Sequence, residues 1–148
     1  MSFEARLRVF LAADPAIEQL AAGRVHPVRL RFAVPQEQTA VAPALQPSVI
    51  FSLSARRVEP GSIDEGGVHL TSTYEIDAWS TDYDTSVELA DAIRRRMLQL
   101  FAGGELGETA GEATVLTVEL STETDNYDPE KGIHVRTGEY FVTHVDAG

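Results

Sequence analysis

The segment from residue 73 to residue 97 constrains the fold more than any other part of the chain, because it encodes a strand, a turn and a helix without interruption. Successive side chains of a strand point to opposite sides of the sheet, so the alternation defines two faces. The apolar face comprises Tyr74, Ile76 and Ala78. The polar face comprises Thr73, Glu75, Asp77 and Trp79. A strand that leads directly into an amphipathic helix predicts an α+β fold in which the helix packs on its own sheet.

The helix of this segment is predicted from a cap and from its apolar spacing. Thr85 offers a hydroxyl to the first turn and Glu88 lies three residues later, which is the capping-box spacing, while Asp84 is the competing cap. Gly103 and Gly104 are expected to end the helix, since glycine adopts the left-handed conformation at little cost. The apolar stripe at helical spacing comprises Val87, Ala90, Ile93, Met97, Leu100 and Phe101.

The first third of the chain predicts two short helices, an extended segment and a strand. Asp14 and Pro15 separate the helices, because proline favours a first helical position. Residues 24–32 are expected to be extended, and residues 48–57 alternate as a strand that pairs with residues 68–80 in a hairpin. The apolar positions of the first helix are Phe3, Leu7, Val9, Phe10 and Leu11. The inward positions of the strand are Val49, Phe51, Leu53 and Ala55.

The last third predicts a second hairpin. Residues 114–122 form a strand with Leu116, Val118 and Leu120 on one face, residues 125–132 are rich in turn-forming residues, and residues 133–145 return as a strand. The apolar parity changes across Gly138, and glycine inside a strand often marks a bulge. We therefore expect a bulge at this glycine.

Length and composition indicate one ordinary soluble domain spanning residues 1–148. With 43% hydrophobic and 24% charged residues, the chain falls in the range of globular proteins. The absence of cysteine excludes disulfides, thiol nucleophiles and cysteine-ligated zinc. The first residues lack the apolar core of a signal peptide, and no apolar run approaches the roughly 20 residues of a membrane span. A cytosolic protein without membrane contact is expected.

The net charge of -11 is distributed unevenly. Residues 1–57 hold seven arginines against four acids, whereas residues 58–148 hold five basic residues against nineteen acids. Such an acidic chain repels nucleic-acid phosphate, so binding of DNA as a ligand is not expected. The slightly basic first part and the strongly acidic second part could form complementary surfaces that meet between neighbouring subunits. Alternatively, the surface acids only keep the protein soluble.

The sequence contains no convincing catalytic or metal-binding motif. Glu75 and Asp77 have roughly the separation of a retaining glycosidase pair, but their threonine and tryptophan neighbours fit the solvent-facing side of a sheet better. Residues 125–130 depart from the calcium-loop pattern. The four histidines lack the close spacing of ligand pairs and are His26, His69, His134 and His144. We expect no enzymatic activity and no cofactor.

The order and spacing of several short motifs resemble the tail-completion or tail-terminator family of long-tailed bacteriophages, which is also found in gene transfer agents. The match extends over nearly the whole chain. The segments that carry it are residues 14–16, 23–27, 47–54, 74–84, 125–129 and 136–142. The family has no catalytic motif, so the resemblance assigns no chemical role to any residue.

The resemblance implies a mostly antiparallel sheet with helices on one face, in a subunit of a hexameric ring. Such a ring caps the tail tube, terminates its growth and joins the tail to the head. The implied partners are other copies of the chain, the tail-tube protein and a head-closure or neck protein, while DNA passes through without specific binding. The protein would be cytoplasmic during assembly and then part of the particle's tail. Two alternatives stay open: a head-closure or neck adaptor, and a small metal-dependent hydrolase using Glu75, Asp77 and a histidine.

The proline-punctuated loop at residues 33–46 is the best candidate for a docking segment, because long loops in small domains are usually functional or mobile. We expect it to be poorly ordered or exposed in the free subunit and to become ordered against a neighbour or the tail tube. The predicted interface residues are Pro35, Gln36, Glu37, Gln38, Pro43, Arg56, Arg57, Glu75 and Asp77.

Overall fold

A mostly antiparallel sheet covered on one face by helices forms the architecture of the computed structural model, which describes residues 3–27, 46–58, 68–100 and 113–146. The described part contains three helices and five strands, so the predicted α+β class is confirmed. The helices are α1 (Phe3–Ala12), α2 (Pro15–Ala21) and α3 (Tyr83–Leu98). The strands are β1 (Val25–Pro27), β2 (Ser48–Val58), β3 (Val68–Ser80), β4 (Ala113–Asp128) and β5 (Ile133–Asp146).

The sheet has the strand order β1-β2-β3-β5-β4. Strand β1 runs parallel to β2, and every other neighbouring pair is antiparallel, which includes both predicted hairpins. Tyr74, Ile76 and Ala78 are at most 2% exposed and pack with residues of all three helices, so the predicted division of β3 into two faces is confirmed. We call this side of the sheet the helix face and the opposite side the outer face.

Helix α3 begins and ends earlier than the sequence predicts. Its N-cap is Asp82, whose carboxylate accepts hydrogen bonds from both the backbone N–H and the hydroxyl of Thr85, at 3.0 and 2.8 Å. Capping by Thr85 or Asp84 is therefore wrong, because the carboxylate of Asp82 already satisfies the first turn. The helix ends at Leu98, before Gly103 and Gly104, so the predicted stop is also wrong.

The apolar stripe of α3 is largely confirmed. Ala90, Ile93, Met97 and Leu100 are buried, Val87 is half-buried, and Phe101 lies outside the described residues. Leu89 and Ala92 are also buried, although the predicted stripe omits them. Helix α3 contacts β3, β5, β4 and α2, which explains why its buried surface is wider than one row of side chains.

Strand β2 changes face halfway along its length. Val49 and Phe51 are buried as predicted, and Leu53 pairs with Tyr74 on the same face but is 38% exposed. Ala55 is exposed on the opposite face, so its inward placement is wrong. The pairing with β3 shifts between Leu53 and Ala55, which leaves Ser54 as an extra residue. Such a bulge reverses the alternation, turning Ala55 to the outer face and the following arginine to the helix face.

The second hairpin contains bulges, but not at the predicted glycine. Pairing of β5 with β3 continues without a shift through Gly138, so a bulge there is wrong. The irregularities lie in β4, next to Leu116 and Ser121. The change in the parity of apolar positions along β5 has a different cause: Ile133 and Val135 lie on the outer face of the sheet and not on the helix face. Strand β4 also runs on to Asp128, so the turn is shorter than predicted.

The N-terminal helices close the other end of the core. Leu7 and Leu11 are fully buried, whereas Val9 is 53% exposed and does not belong to the apolar side of α1. The predicted break is confirmed, since Asp14 caps α2 by accepting the N–H groups of residues 16 and 17, and Pro15 occupies the first helical position. Residues 28–32 of the predicted extended segment and residues 33–45 of the predicted loop lie outside the described residues, as do Gly103 and Gly104.

Candidate functional site

Arg56 joins β2, β3 and α1 on the helix face. Its guanidinium donates hydrogen bonds to the Ser72 hydroxyl at 2.7 Å, to the Tyr74 hydroxyl at 2.8 Å and to the Glu4 carboxylate at 2.7 Å. Tyr74 in turn donates to Glu4 at 3.0 Å. The bulge at Ser54 makes these contacts possible, because unbroken alternation would place Arg56 on the outer face. Arg56 thus has an intramolecular role, and its predicted part in an interface stays a prediction.

The ionisation of this cluster follows from its burial and its charges. Burial by itself raises the pKa of Glu4, but its backbone hydrogen bond, the Arg56 charge and the contacts with Tyr74 and Arg56 outweigh burial, so the pKa is lowered. Burial, and secondarily the Glu4 charge, raises the pKa of Tyr74 well above its usual range. Glu4 is therefore the anionic partner of Arg56, while Tyr74 stays neutral.

Ser72 and His144 lie within hydrogen-bonding distance on the same face, with the Ser72 Oγ 2.9 Å from the His144 Nε2. Phe3 stacks on the His144 ring with 4.1 Å between ring centroids. Although a serine next to a histidine can form a nucleophile and its base, these two residues are 0% and 1% exposed. Ser72 also accepts the Nε–H of Arg56. A substrate could not reach this pair without opening the core, so the pair serves to attach α1 to the sheet.

The outer face presents a concave surface. A groove of about 510 Å³ crosses four strands and is lined by Ala55, Arg56, Arg57, Thr71, Thr73, Thr117, Glu119, Phe141 and Thr143. Side chains from both β2 and β4 line it, although β3 and β5 lie between those strands. The sheet is therefore curved here, with its concave side away from the helices.

The outer face also places two like charges directly opposite each other. Glu75 of β3 pairs in register with Glu139 of β5, and both are half-buried. Like charges in this position destabilise a sheet. Asp77, two residues along, is only 8% exposed and accepts a hydrogen bond from the Thr137 hydroxyl at 2.7 Å. The two predicted interface carboxylates thus share one face, with Glu75 more accessible than Asp77, and their interface role stays a prediction.

The two long edges of the sheet differ in charge. Strand β4 contains four acids and no basic residue, whereas β2 contains two arginines and no acid. Within the described residues, β4 pairs on one side only, and β1 pairs with β2 only at residues 49–51. Arg57 and Glu119 are exposed at these two edges. Their register positions are two residues apart, because Arg57 aligns with Thr117 through β3 and β5, whereas Glu119 aligns with Ala55.

The remaining candidate residues do not assemble into a site. Pro35, Gln36, Glu37, Gln38 and Pro43 lie outside the described residues, so their predicted interface role stays a prediction. The histidines lie on three different strands, and His144 is buried on the helix face. No group of three or more histidine, aspartate or glutamate side chains in the described ranges could hold a metal ion. None of the described helices is long and apolar enough to cross a membrane.

Sequence reasoning missed Glu119 and the end of β4 that surrounds it. The only available signal was the charge of the strand, which carries acids on both of its faces. The exposed edge could not be identified without the strand order, because chain order places β4 before β5 whereas the sheet places it last.

Comparisons with known proteins show a likeness of fold. No protein-family model matches the sequence, and no curated protein sequence matches it. Among solved structures, the fold is similar to that of a chain from the virion of a native gene transfer agent particle, with a TM-score of 0.62. The match covers 97% of this chain and 94% of that chain at 16% sequence identity. At this identity the likeness shows a common fold, and it extends over nearly the full length of both chains.

Proposed function

We propose that this chain is a structural subunit of a phage-like particle, and specifically that residues 1–148 form one tail-terminator domain of a hexameric ring. The ring caps the tail tube, stops its growth and joins the tail to the head. The observation that carries the proposal is the fold shared nearly end to end with a chain of a gene transfer agent virion. The open groove on the outer face suits the contact surface of a structural subunit.

The strand directions support ring closure through the sheet edges. Strands β2 and β5 run in one direction and β3 and β4 in the other. When copies stand side by side in the same orientation, β4 of one copy meets β2 of the next in antiparallel fashion. This head-to-tail contact is heterologous, so repeating it can close a ring. The matching levels are residues 53–58 of β2 and 115–120 of β4.

The geometry of such a ring leaves space for DNA. Four long strands from each of six copies, spaced by about 4.8 Å, give a barrel about 37 Å across before side chains and strand tilt are considered. Closing the barrel around the concave outer face places the helices outside. Glu75, Glu119 and Glu139 would then face the lumen, where negative charge repels phosphate and lets a duplex slide. The unfavourable pairing of Glu75 with Glu139 does not stabilise the isolated fold, so a role in repelling DNA phosphate from the lumen wall would account for it.

A charge exchange tests the lateral contact. We expect the wild-type chain at high concentration to form a species of six 16.1 kDa copies, about 97 kDa, by light scattering or native mass spectrometry. Arg57→Glu or Glu119→Arg alone should weaken this species by placing like charges at the contact, and the double variant should restore it. Glu88→Arg on exposed α3 is a matched control that should leave assembly unchanged. A stable dimer at every concentration would contradict the ring, whereas hexamers in both single variants would refute only the proposed contact.

The biological role requires a test in particles. Loss of a tail terminator should give overlong or headless tails in electron micrographs, and the assembly-defective variant should reproduce that result. The ring should bind the tail-tube protein in pull-down experiments. Binding to the portal or an adaptor without binding to the tail tube would instead indicate a head-closure or neck protein.

A further inference from the structure

Two tyrosine–aspartate motifs that lie far apart in the sequence meet at one end of the sheet. Tyr83 follows Asp82 at the start of α3, and Tyr127 lies between Asn126 and Asp128 at the end of β4. His134 of β5 lies between the two rings. Its ring centroid is 5.4 Å from that of Tyr83 in an edge-on arrangement and 4.5 Å from that of Tyr127 in a tilted one.

The two tyrosines of this aromatic cluster, which we define as Tyr83, Tyr127 and His134, are unusually exposed. Tyr83 is 47% and Tyr127 55% exposed, and they are the two aromatic residues among the exposed large hydrophobic side chains of the described chain. Both rings contact His134, so they have less conformational entropy to lose on binding than unsupported side chains would. Rigid, half-exposed tyrosines are typical of the anchors that dominate protein–protein binding.

Carboxylates surround the cluster. Asp82 and Asp84 flank Tyr83, Asp128 follows Tyr127, and the adjacent turn adds Glu130 and Lys131. Arg136 interacts electrostatically with Tyr83, but Asp125 and Glu123 already pair with it. Asp82 is near enough to His134 for the two to interact electrostatically. An electron-rich ring face and a nearby carboxylate both attract a guanidinium or ammonium group. Charge complementarity therefore favours a cationic segment over an acidic or purely apolar partner.

The position of the cluster separates it from the proposed lateral contact. It lies where β3 and β4 end and β5 begins, whereas the matching edges of β2 and β4 lie at the opposite end of the sheet. Nearby, Arg136 binds Asp125 and Glu123, and Arg94 also binds Glu123, which attaches α3 to β4 and fixes the geometry. In a closed ring, this end of the sheet would form a rim.

We propose that the aromatic cluster is a docking site for an arginine-bearing segment of a different protein. The arginine stacks on Tyr83 or Tyr127 and pairs with the neighbouring carboxylates. Six copies of the site on one rim would bind a symmetric partner with high avidity. Only this last step rests on the proposed function, because a single free subunit already contains the whole site.

The test titrates the free subunit with a short peptide in which arginine alternates with glycine, monitored by NMR. We expect the signals of His134 and of the residues next to both tyrosines to shift. Replacing both rings (Tyr83→Ala with Tyr127→Ala) should weaken binding about tenfold, since each exposed cation–π contact contributes modestly and the net charge is unchanged. Replacing both tyrosines by phenylalanine should preserve binding. The control removes exposed aliphatic groups elsewhere (Val9→Ala with Leu98→Ala) and should bind like the wild type.

Three outcomes would overturn the proposal: equal binding by the double alanine variant, equal binding of a glutamate–glycine peptide, or shifts confined to another surface. Concentration-dependent shifts of the cluster without peptide would identify a second copy as the occupant and would also overturn it. Because the titration uses single subunits, a failure of ring assembly would not change the peptide-binding result. Likewise, a failure of peptide binding would not change the result on ring assembly.

Discussion

Arg56→Ala should destabilise the fold far more than loss of a partly exposed arginine usually does. The side chain is 30% exposed, yet it makes three short hydrogen bonds that connect α1, β2 and β3. A surface ion pair alone would contribute at most about 1 kcal/mol. Here, two of the acceptors are hydroxyl groups of residues that are fully buried, Ser72 and Tyr74.

The expected loss can be worked out from these contacts. A hydrogen bond to a charged group contributes about 1.5–3 kcal/mol when it is buried, and water can replace the one to Glu4. Ser72 keeps His144 as a partner and Tyr74 keeps Glu4, which limits the desolvation cost. We therefore expect a loss of about 2–4 kcal/mol in the free energy of unfolding. Arg56→Lys should recover less than half of this, because a single ammonium group cannot reproduce the geometry of the guanidinium.

Urea denaturation followed by the fluorescence of the single tryptophan measures this loss. Measurements at two protein concentrations separate folding from assembly. The control is Arg95→Ala in the last turn of α3, where the arginine is exposed, and it should change stability by at most about 0.5 kcal/mol. If Arg56→Ala and Arg95→Ala gave the same midpoint and slope, the cluster would not stabilise the fold and the reasoning would be refuted.

Two further predictions concern the core and the response to pH. Ile93→Asp should place an unpaired charge at a position that is 1% exposed and lower the free energy of unfolding by several kcal/mol. A soluble variant that unfolds cooperatively at the wild-type midpoint would show that α3 has been misplaced. Because the pKa of Glu4 is lowered in the folded state, its contribution to stability is complete above the ordinary value of 4.5 and is lost as the pH falls through the folded value. Unfolding curves between neutral and acidic pH should show this loss, with a smaller pH dependence in Arg56→Ala, and equal pH dependence in both proteins would contradict the Glu4–Arg56 coupling.

The sequence by itself determined the elements whose signals are local. Alternation at Tyr74, Ile76 and Ala78 identified the buried side of β3, and helical spacing at Ile93 and Met97 identified the buried side of α3. These patterns succeed because burial on one side of an element imposes its own period on the sequence. Asp14 and Pro15 marked the start of α2 for a similar reason, since capping acts within one turn.

The tertiary structure decided everything that depends on pairing between distant segments. The bulges in β2 and β4 are set by register with neighbouring strands, and they leave no reliable local pattern. The bulge in β2 placed Arg56 on the helix face in a cluster with Glu4, whereas the strand order put the acidic β4 at an edge. The contact of Tyr83 and Tyr127 with His134 likewise depends on the tertiary fold. The sequence determines which charged and aromatic side chains the chain carries, but only long-range packing brings them together.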